Sequence, residues 1–276
     1  LDATTVGASD YYQFQHCIEG YNINPANFGT TTAKPLTLSF HVKSSLTGTF
    51  SVCFSNNAGD RFLAQNYTIS SADTWEKKTI SIPAITTGSW NRDSTAGLFI
   101  YFTLGAGSGT LQSTGSWGTS FGRGGTGGAN VVATNGATWQ LTGVQLEISS
   151  TGVATDFEHR NYGDELAHCQ RYFTTLGRGK AYTFVAFGNM VSSSLSRCYV
   201  ALPTTMRAIP TPSEHGNLTV DTETAASQAV TGVGGNLTEN GGMVQFNHNS
   251  HSSGQGQSIA VTPTDTNSGL DFLAEL

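Results

Sequence analysis

Charge is what this chain has least of. Only 12% of its 276 residues are Asp, Glu, Lys or Arg, about half the roughly 25% usual for soluble domains. Thirteen are basic and 19 acidic, for a net charge of −6. No excess of cations exists to displace counterions from phosphates, which argues against a nucleic-acid partner. The longest basic run, Lys77-Lys78, suits a solvated strand edge. No stretch approaches the ~20 apolar residues needed to span a bilayer, so membrane insertion is not expected. A basic segment followed by an apolar run, the mark of a signal peptide, is also missing. Leu1 stands where an initiating Met would be, which predicts a longer or processed parent. No internal repeat of roughly 20–50 residues is found.

Cysteine is sparse too. Cys17, Cys53, Cys169 and Cys198 lie far apart with no C-x-x-C pair, and sequence cannot choose among the possible pairings. Cys53 and Cys198 fall inside apolar strand patterns, where a thiol behaves as a small hydrophobe. All four are expected to be reduced. The chain is rich in glycine (33 residues), Thr, Ser and Asn. That mixture favours short strands and turns over helices, and the predicted class is all-β.

Hydrophobic periodicity supports this. Leu36, Leu38, Phe40 and Val42 alternate with polar residues, the period that puts one set of side chains on a core face. Ser45-Leu46-Thr47-Gly48 supplies a turn, and Phe50, Val52 and Phe54 repeat the pattern on an expected antiparallel partner. Further strands are predicted from Phe62 towards Ile69, through Thr79–Ile82 to Pro83, and over Leu98–Leu104. Trp75 and Trp139 fall in strand patterns and are expected in the core. Residues 105–130 have no apolar period; an insertion of this length is functional or disordered in most domains. Trp139 and Leu141 are out of phase with Val144, Leu146 and Ile148, which predicts a β-bulge at Thr142-Gly143.

Asp164–Phe173 is the one helical signal, with Leu166, Cys169, Gln170 and Phe173 on one face and acids in the first turn. Strand signals resume at Tyr182, Phe184, Val185 and Phe187. They continue over Leu195–Leu202, Asn217–Val220, Met243–Phe246, Ser258–Val261 and Leu270–Leu273, and Pro203, Pro210 and Pro212 mark a long turn region. The predicted architecture is therefore two β-sandwich domains: residues 1–160, jelly-roll-like, and 176–276, smaller, joined by a helical connector at 161–175.

Three motifs in order carry a resemblance. Trp139-Gln-Leu-Thr-Gly-Val-Gln-Leu-Glu-Ile148 is followed by Phe157-Glu-His-Arg160 and then by Glu165-Leu-Ala-His-Cys-Gln-Arg-Tyr-Phe173. Gly20-Tyr-Asn, Lys34-Pro-Leu-Thr-Leu-Ser-Phe40, Asp73-Thr-Trp-Glu-Lys-Lys-Thr79 and Leu202-Pro-Thr-Thr-Met-Arg-Ala-Ile-Pro-Thr211 add to it. Together they resemble a widespread family of bacteriophage virion proteins. The resemblance implies a tail fibre or similar appendage, assembled in host cytoplasm and often homotrimeric, with a carbohydrate-binding-module-like sandwich. An upstream segment that anchors such a fibre to other virion proteins is not in this sequence. No catalytic residue is implied. A pair of Arg160 with Glu165 or Glu158 is expected to fix the domain junction; the alternative is a solvated pair worth less than ~1 kcal/mol.

Other chemistry is thin. Gly122-Arg-Gly-Gly-Thr-Gly127 matches G-x-G-x-x-G only formally, without the strand, helix and distal acid of a dinucleotide site. No nucleophile elbow is present. His248 and His251, with His215 and Asp265, lack zinc-ligand spacing and are expected in an exposed polar loop; in a trimer, histidines near the axis could still share an ion. Asp60, Asp73, Asp93 and Glu147 cannot be placed as the facing carboxylates that glycoside hydrolysis needs. The reading is thus a non-enzyme, with neither cofactor nor metal. Sugar contact is the stronger possibility, because sugars stack on aromatics and bond to Asn, Asp and Arg. The candidates are Trp90, Asn91, Arg92 and Asp93 in one turn, and Trp117, Phe121 and Arg123 in the glycine-rich loop; each loop Trp could equally be a lid on the sandwich. Host-surface polysaccharide is the expected partner. The rival readings are a spacer or decoration protein, a sugar-binding accessory module of a secreted enzyme, and a glycan depolymerase.

Overall fold

The computed structural model describes residues 2–223, 226–252 and 255–275. Strands make up 47% of it and helices 8%, so the protein is mostly β, in several sheets. The chain divides into two compact units, Leu1–His159 and Arg160–Leu276.

The first unit contains β1 (Tyr11–Glu19), β2 (Leu36–Ser44), β3 (Gly48–Asn56), β4 (Phe62–Ile69), β5 (Glu76–Ile82), β6 (Ala96–Ala106), the two-residue β7 (Leu111–Gln112) and β8 (Gly124–Gly125), and β9 (Trp139–Ile148), with a one-turn helix α1 (Gly20–Ile23). One antiparallel sheet runs β1-β6-β3-β4 and another β5-β2-β9. Both feed one core: Leu38 and Phe40 of β2 and Ile82 of β5 are fully buried with Phe50, Phe54, Ile69, Leu98 and Phe102 of the larger sheet. Each such side chain contributes about 1.5–3 kcal/mol on leaving water.

The expected hairpin between Leu36–Val42 and Phe50–Phe54 does not form. β2 pairs with β5 and β9, and β3 with β4 and β6. The connecting residues direct their polar groups elsewhere. Ser44 Oγ donates to Thr138 O at 2.8 Å, Ser45 N donates to the same carbonyl, and Ser44 O accepts from Asp73 N. The chain thereby crosses from one sheet to the other. Alternation told which face each strand buries, but not which strand it pairs with. Trp75 is also displaced from its expected place: it precedes β5, is 45% exposed, and carries Lys43 Nζ at 5.5 Å from its ring. Trp139 does pack on the core, against Phe102 at 5.6 Å, and donates Nε1–H to Tyr67 Oη at 3.3 Å.

The bulge is where the phase slip put it. Between Ser39↔Gln145 and His41↔Thr142 the register gains one residue in β9. Gly143 sits there at φ +58°, the left-handed residue of a glycine bulge. Leu141 and Leu146 then both pack on the core.

The glycine-rich stretch 105–130 is an ordered layer laid over β3, β4 and β6. Gly118 exchanges both backbone bonds with Phe62, Gly125 N donates to Ser51 Oγ at 3.0 Å, and Ala129 N donates to Thr49 O at 2.7 Å. A Cβ on Gly125 would lie 2.2 Å from Asn66 Oδ1 and 2.8 Å from Thr114 Cγ2. Glycine here leaves room for the side chains of the sheet and loop that close around it.

The second unit begins with α2 (Tyr162–Gln170), followed by β10 (Phe173–Leu176), β11 (Ala186–Ser192), β12 (Leu195–Ala201), β13 (Thr211–His215), β14 (Leu218–Asp221), β15 (Gln228–Thr238), β16 (Gly241–His248), β17 (Ser258–Pro263) and β18 (Gly269–Leu273). Where a second, smaller sandwich was expected, six strands close into a barrel, β11-β12-β16-β15-β14-β17, because β11 pairs with both β12 and β17. A separate sheet β10-β18-β13 adds Leu270 and Phe272 to a core that includes Val220, Val244, Phe246 and Val261. Pro212 is accommodated in β13 because that strand is the edge of its sheet. The helix is shorter than expected. Asn161 caps it by accepting from Asp164 N at 3.0 Å, Phe173 has already passed into β10, and none of its residues is buried. Its anticipated apolar face is therefore uncovered in the single chain. Arg160 meets Glu165 at 3.4 Å with both side chains more than half exposed, a solvated pair worth less than ~1 kcal/mol.

Replacing Gly143 by Ala is expected to cost about 1–2 kcal/mol, the left-handed penalty for a residue with a Cβ. Asn at the same site should cost less, and denaturant midpoints of the three proteins provide the comparison.

Candidate functional site

The turn after β5 and the glycine-rich loop meet on Phe28. Trp90 lies 4.9 Å from Phe28, Trp117 lies 5.9 Å from it, and the two indoles are 5.6 Å apart at 88°. All three contacts are edge-to-face, the geometry aromatic quadrupoles favour. Each indole N–H is satisfied: Trp90 Nε1 donates to Thr87 O at 3.1 Å and Trp117 Nε1 to Pro83 O at 2.7 Å. Both tryptophans are half-buried against the core, so they close one edge of it and keep part of their surface in solvent.

Their predicted neighbours hold the turn together. Asn91 Nδ2 donates to Thr95 Oγ1 and Ala96 O. Arg92 reaches Asn24 Oδ1 at 3.2 Å and Phe28 O at 3.4 Å. Asp93 accepts from the Thr95 hydroxyl and from Thr95 N, bonds that hold its carboxyl below the ordinary range.

Phe121 and Arg123 form a second group. The Arg123 guanidinium carbon lies 4.1 Å from the Tyr101 ring centre, 4.5 Å from Phe121, 5.7 Å from Phe62 and 5.8 Å from Tyr11. Four ring faces stabilise that cation by about 0.5–2 kcal/mol per good contact. Its role is to pin the loop to the sheet.

Beside the tryptophan pair lies a cleft of about 410 Å³, lined by Trp117, Arg61, Thr86, Thr87, Ser116 and Thr119 among others. Arg61 was not anticipated. Its Nε donates to Thr87 Oγ1 at 3.1 Å and Nη1 to Asp60 O at 2.6 Å, so the guanidinium is aimed before any ligand arrives. The only sequence cue was its place after the Asn56–Asp60 turn. An indole wall, a fixed cation and several hydroxyls can stack a sugar ring and bond its hydroxyl groups.

Two of the carboxylates weighed for hydrolysis are engaged within the fold. Asp60 Oδ1 accepts from Asn56 Nδ2, and Glu147 accepts from Thr155 N and its hydroxyl. Those bonds hold Glu147 below the ordinary carboxyl range, opposite to the shift a general acid needs. His248 and His251, expected in an exposed loop, are buried at 4% and 3%. Ser196 Oγ sits 3.0 Å from His248 Nε2, but full burial of Ser196 keeps a substrate from the hydroxyl. Among the described residues no group of His, Cys, Asp and Glu could hold a metal ion, and no helix is long and apolar enough to cross a membrane. None of the four cysteines forms a disulfide. Burial pushes the Cys53 and Cys198 thiols up to about 12.

No protein-family model matches the chain, and no curated relative matches it. Among solved structures, a point mutant of Bacillus subtilis oxalate decarboxylase aligns at TM-score 0.11 and 11% identity over 99% of this chain and 79% of that chain. The same enzyme at pH 4.6 aligns at 0.10 and 10%, over 99% and 78%. Scores this low establish neither fold nor activity.

The thiol shifts set a pH dependence. A folded-state pKa raised above its ordinary 9.0 gives stability that is complete below pH 9.0 and is lost as pH rises towards about 12. The denaturant midpoint should fall through that window, and less steeply in Cys53→Ala. Maleimide should label exposed Cys169 in the native protein and reach Cys53 only on unfolding.

Proposed function

We propose that this chain is a structural protein of a bacteriophage appendage, a tail fibre or similar element, whose first unit contacts host-surface glycan at the Trp117–Arg61 cleft. The observation that carries the contact is the cleft itself: a half-buried indole and a guanidinium already fixed by Thr87 and Asp60 line the same space. Preorganised groups lose little entropy on binding. The phage assignment rests on the ordered motifs between Gly20 and Thr211. In this reading the two facing sheets of the first unit form a jelly-roll-like sandwich, and the protein is a non-enzymatic homotrimer in the virion. The uncovered helix α2, with Tyr162 81% and Leu166 39% exposed, supports association between copies. Several weak sites on one trimer would then bind with raised effective concentration.

Purified host polysaccharide should bind the wild-type protein. Arg61→Ala and Trp117→Ala should each weaken binding about tenfold or more, the scale of one lost stacking or charge-assisted contact. Unchanged melting would show that the fold survives. Binding unaltered in both variants would remove the cleft from the reading; no binding to any host surface would leave a spacer or decoration protein. The native mass tests assembly: three times 29.1 kDa is expected, and a monomer would argue against the trimer.

A further inference from the structure

Four neighbouring strands of the barrel present one row of side chains on its outer face. Tyr199 of β12 is paired with Phe187 of β11, Phe187 with Ala260 of β17, and Ala260 with Asp221 of β14. Residues directly paired across a ladder share a face, and exposures of 72% for Tyr199 and 63% for Phe187 show that this face is the outer one. Ala260 is the small member of the row. It makes β17 the floor of a trough with a ring on one side and a carboxylate on the other, roughly 10 Å apart at two strand spacings. Phe184 extends the aromatic wall, its ring 5.1 Å from that of Phe187, and Glu223 lines the cavity with Asp221. The space enclosed is about 310 Å³.

The electrostatics of this trough are one-sided. Two acids line it and, among the described residues, no Lys or Arg does. Asp221 Oδ2 accepts from the Thr262 hydroxyl, while Oδ1 is shut off from water and has no donor among the described residues. A carboxylate left half compensated in a sheltered position keeps an unfavourable negative potential that a bound cation relieves. The rings opposite carry negative π faces, and Phe184 is 64% exposed; exposed aromatics grouped in this way mark a binding surface. Aromatic rings on one side and carboxylates on the other suit an alkylated cation better than a bare metal ion, because its N-alkyl groups fill the apolar wall.

We propose that the trough between Phe184, Phe187, Asp221 and Glu223 binds an organic ammonium group, carried by a small molecule or by a substituent of a larger polymer. The rings pack against the methylene or methyl groups of the cation, and the two carboxylates provide its counter-charge. The site lies in the second unit and takes a different ligand from the glycan cleft, so either assignment can fail alone.

The test is a titration of the full chain with choline, with its uncharged tert-butyl isostere, and with ethylammonium, followed by calorimetry and NMR. Choline should saturate one site and the isostere should bind about tenfold more weakly or not at all. Phe187→Ala and Glu223→Gln should each weaken choline by about fivefold to tenfold. Both replace exposed side chains, and Phe184→Ala is a second aromatic variant should either unfold. Tighter binding of ethylammonium than of choline would support the site and identify a primary amine as its ligand. Equal binding of choline and the isostere, no saturable binding of either cation, or full choline affinity in folded Phe187→Ala would overturn it.

Discussion

Phe40 belongs to β2 and Phe102 to β6, strands of different sheets, and their rings lie 5.1 Å apart at 81°. Tyr67 joins from β4 at 5.2 Å and Trp139 from β9. This aromatic layer is where the two sheets of the first unit meet, and the rest of that unit is arranged around it. Because it claims the inner face of β3 and β6, their outer face needs a cover of its own. The glycine-rich loop provides that cover, and Arg123 fastens it by inserting between rings. The same loop brings Trp117 to Phe28 and Trp90, so the cleft is a by-product of how the second face of the sheet is kept dry.

The parts of this arrangement that were legible are those set by the chain's own period. β2, β3, β4 and β6 follow from alternation, and the bulge at Gly143 from a slip of one residue in it. Pairing was not legible. Ser44 and Thr138 decide that β2 leaves β3, and they are 94 residues apart. Strands with weak hydrophobic signals were also hidden. β15 contains Gly232, Gly234 and Gly235, and β13 contains Pro212; each is strand because a neighbour supplies the ladder, against local preference. β1 is held in the same way by β6.

At the candidate sites, residue type was legible and occupation was not. Trp90 and Trp117 were named from their place in turns, and they do come together. Arg123 was named for the same reason, yet its charge is spent on four rings. Arg61 had no cue beyond its place after a turn, and the row on the barrel had no local signal. Phe187 and Asp221 become neighbours only through Ala260, a residue that composition and spacing give no cause to notice.

Closure of the barrel also constrains when it can form. The ladder that shuts it joins Ala186 to Val261 and Asn189 to Ser258, so its first strand has no second partner until nearly the whole unit has been synthesised. Loop-closure entropy must be met before any of those bonds is gained. On the ribosome the first unit, complete once β9 has emerged, can fold while β11 and β12 wait as a hairpin, the outer edge of β12 open until β16 arrives and that of β11 open longer still, until β17 does. That edge is the stage of this protein's life most open to wrong pairing with another chain, and the crowded neighbours on one messenger, all copies of the same sequence, are the chains best matched to it.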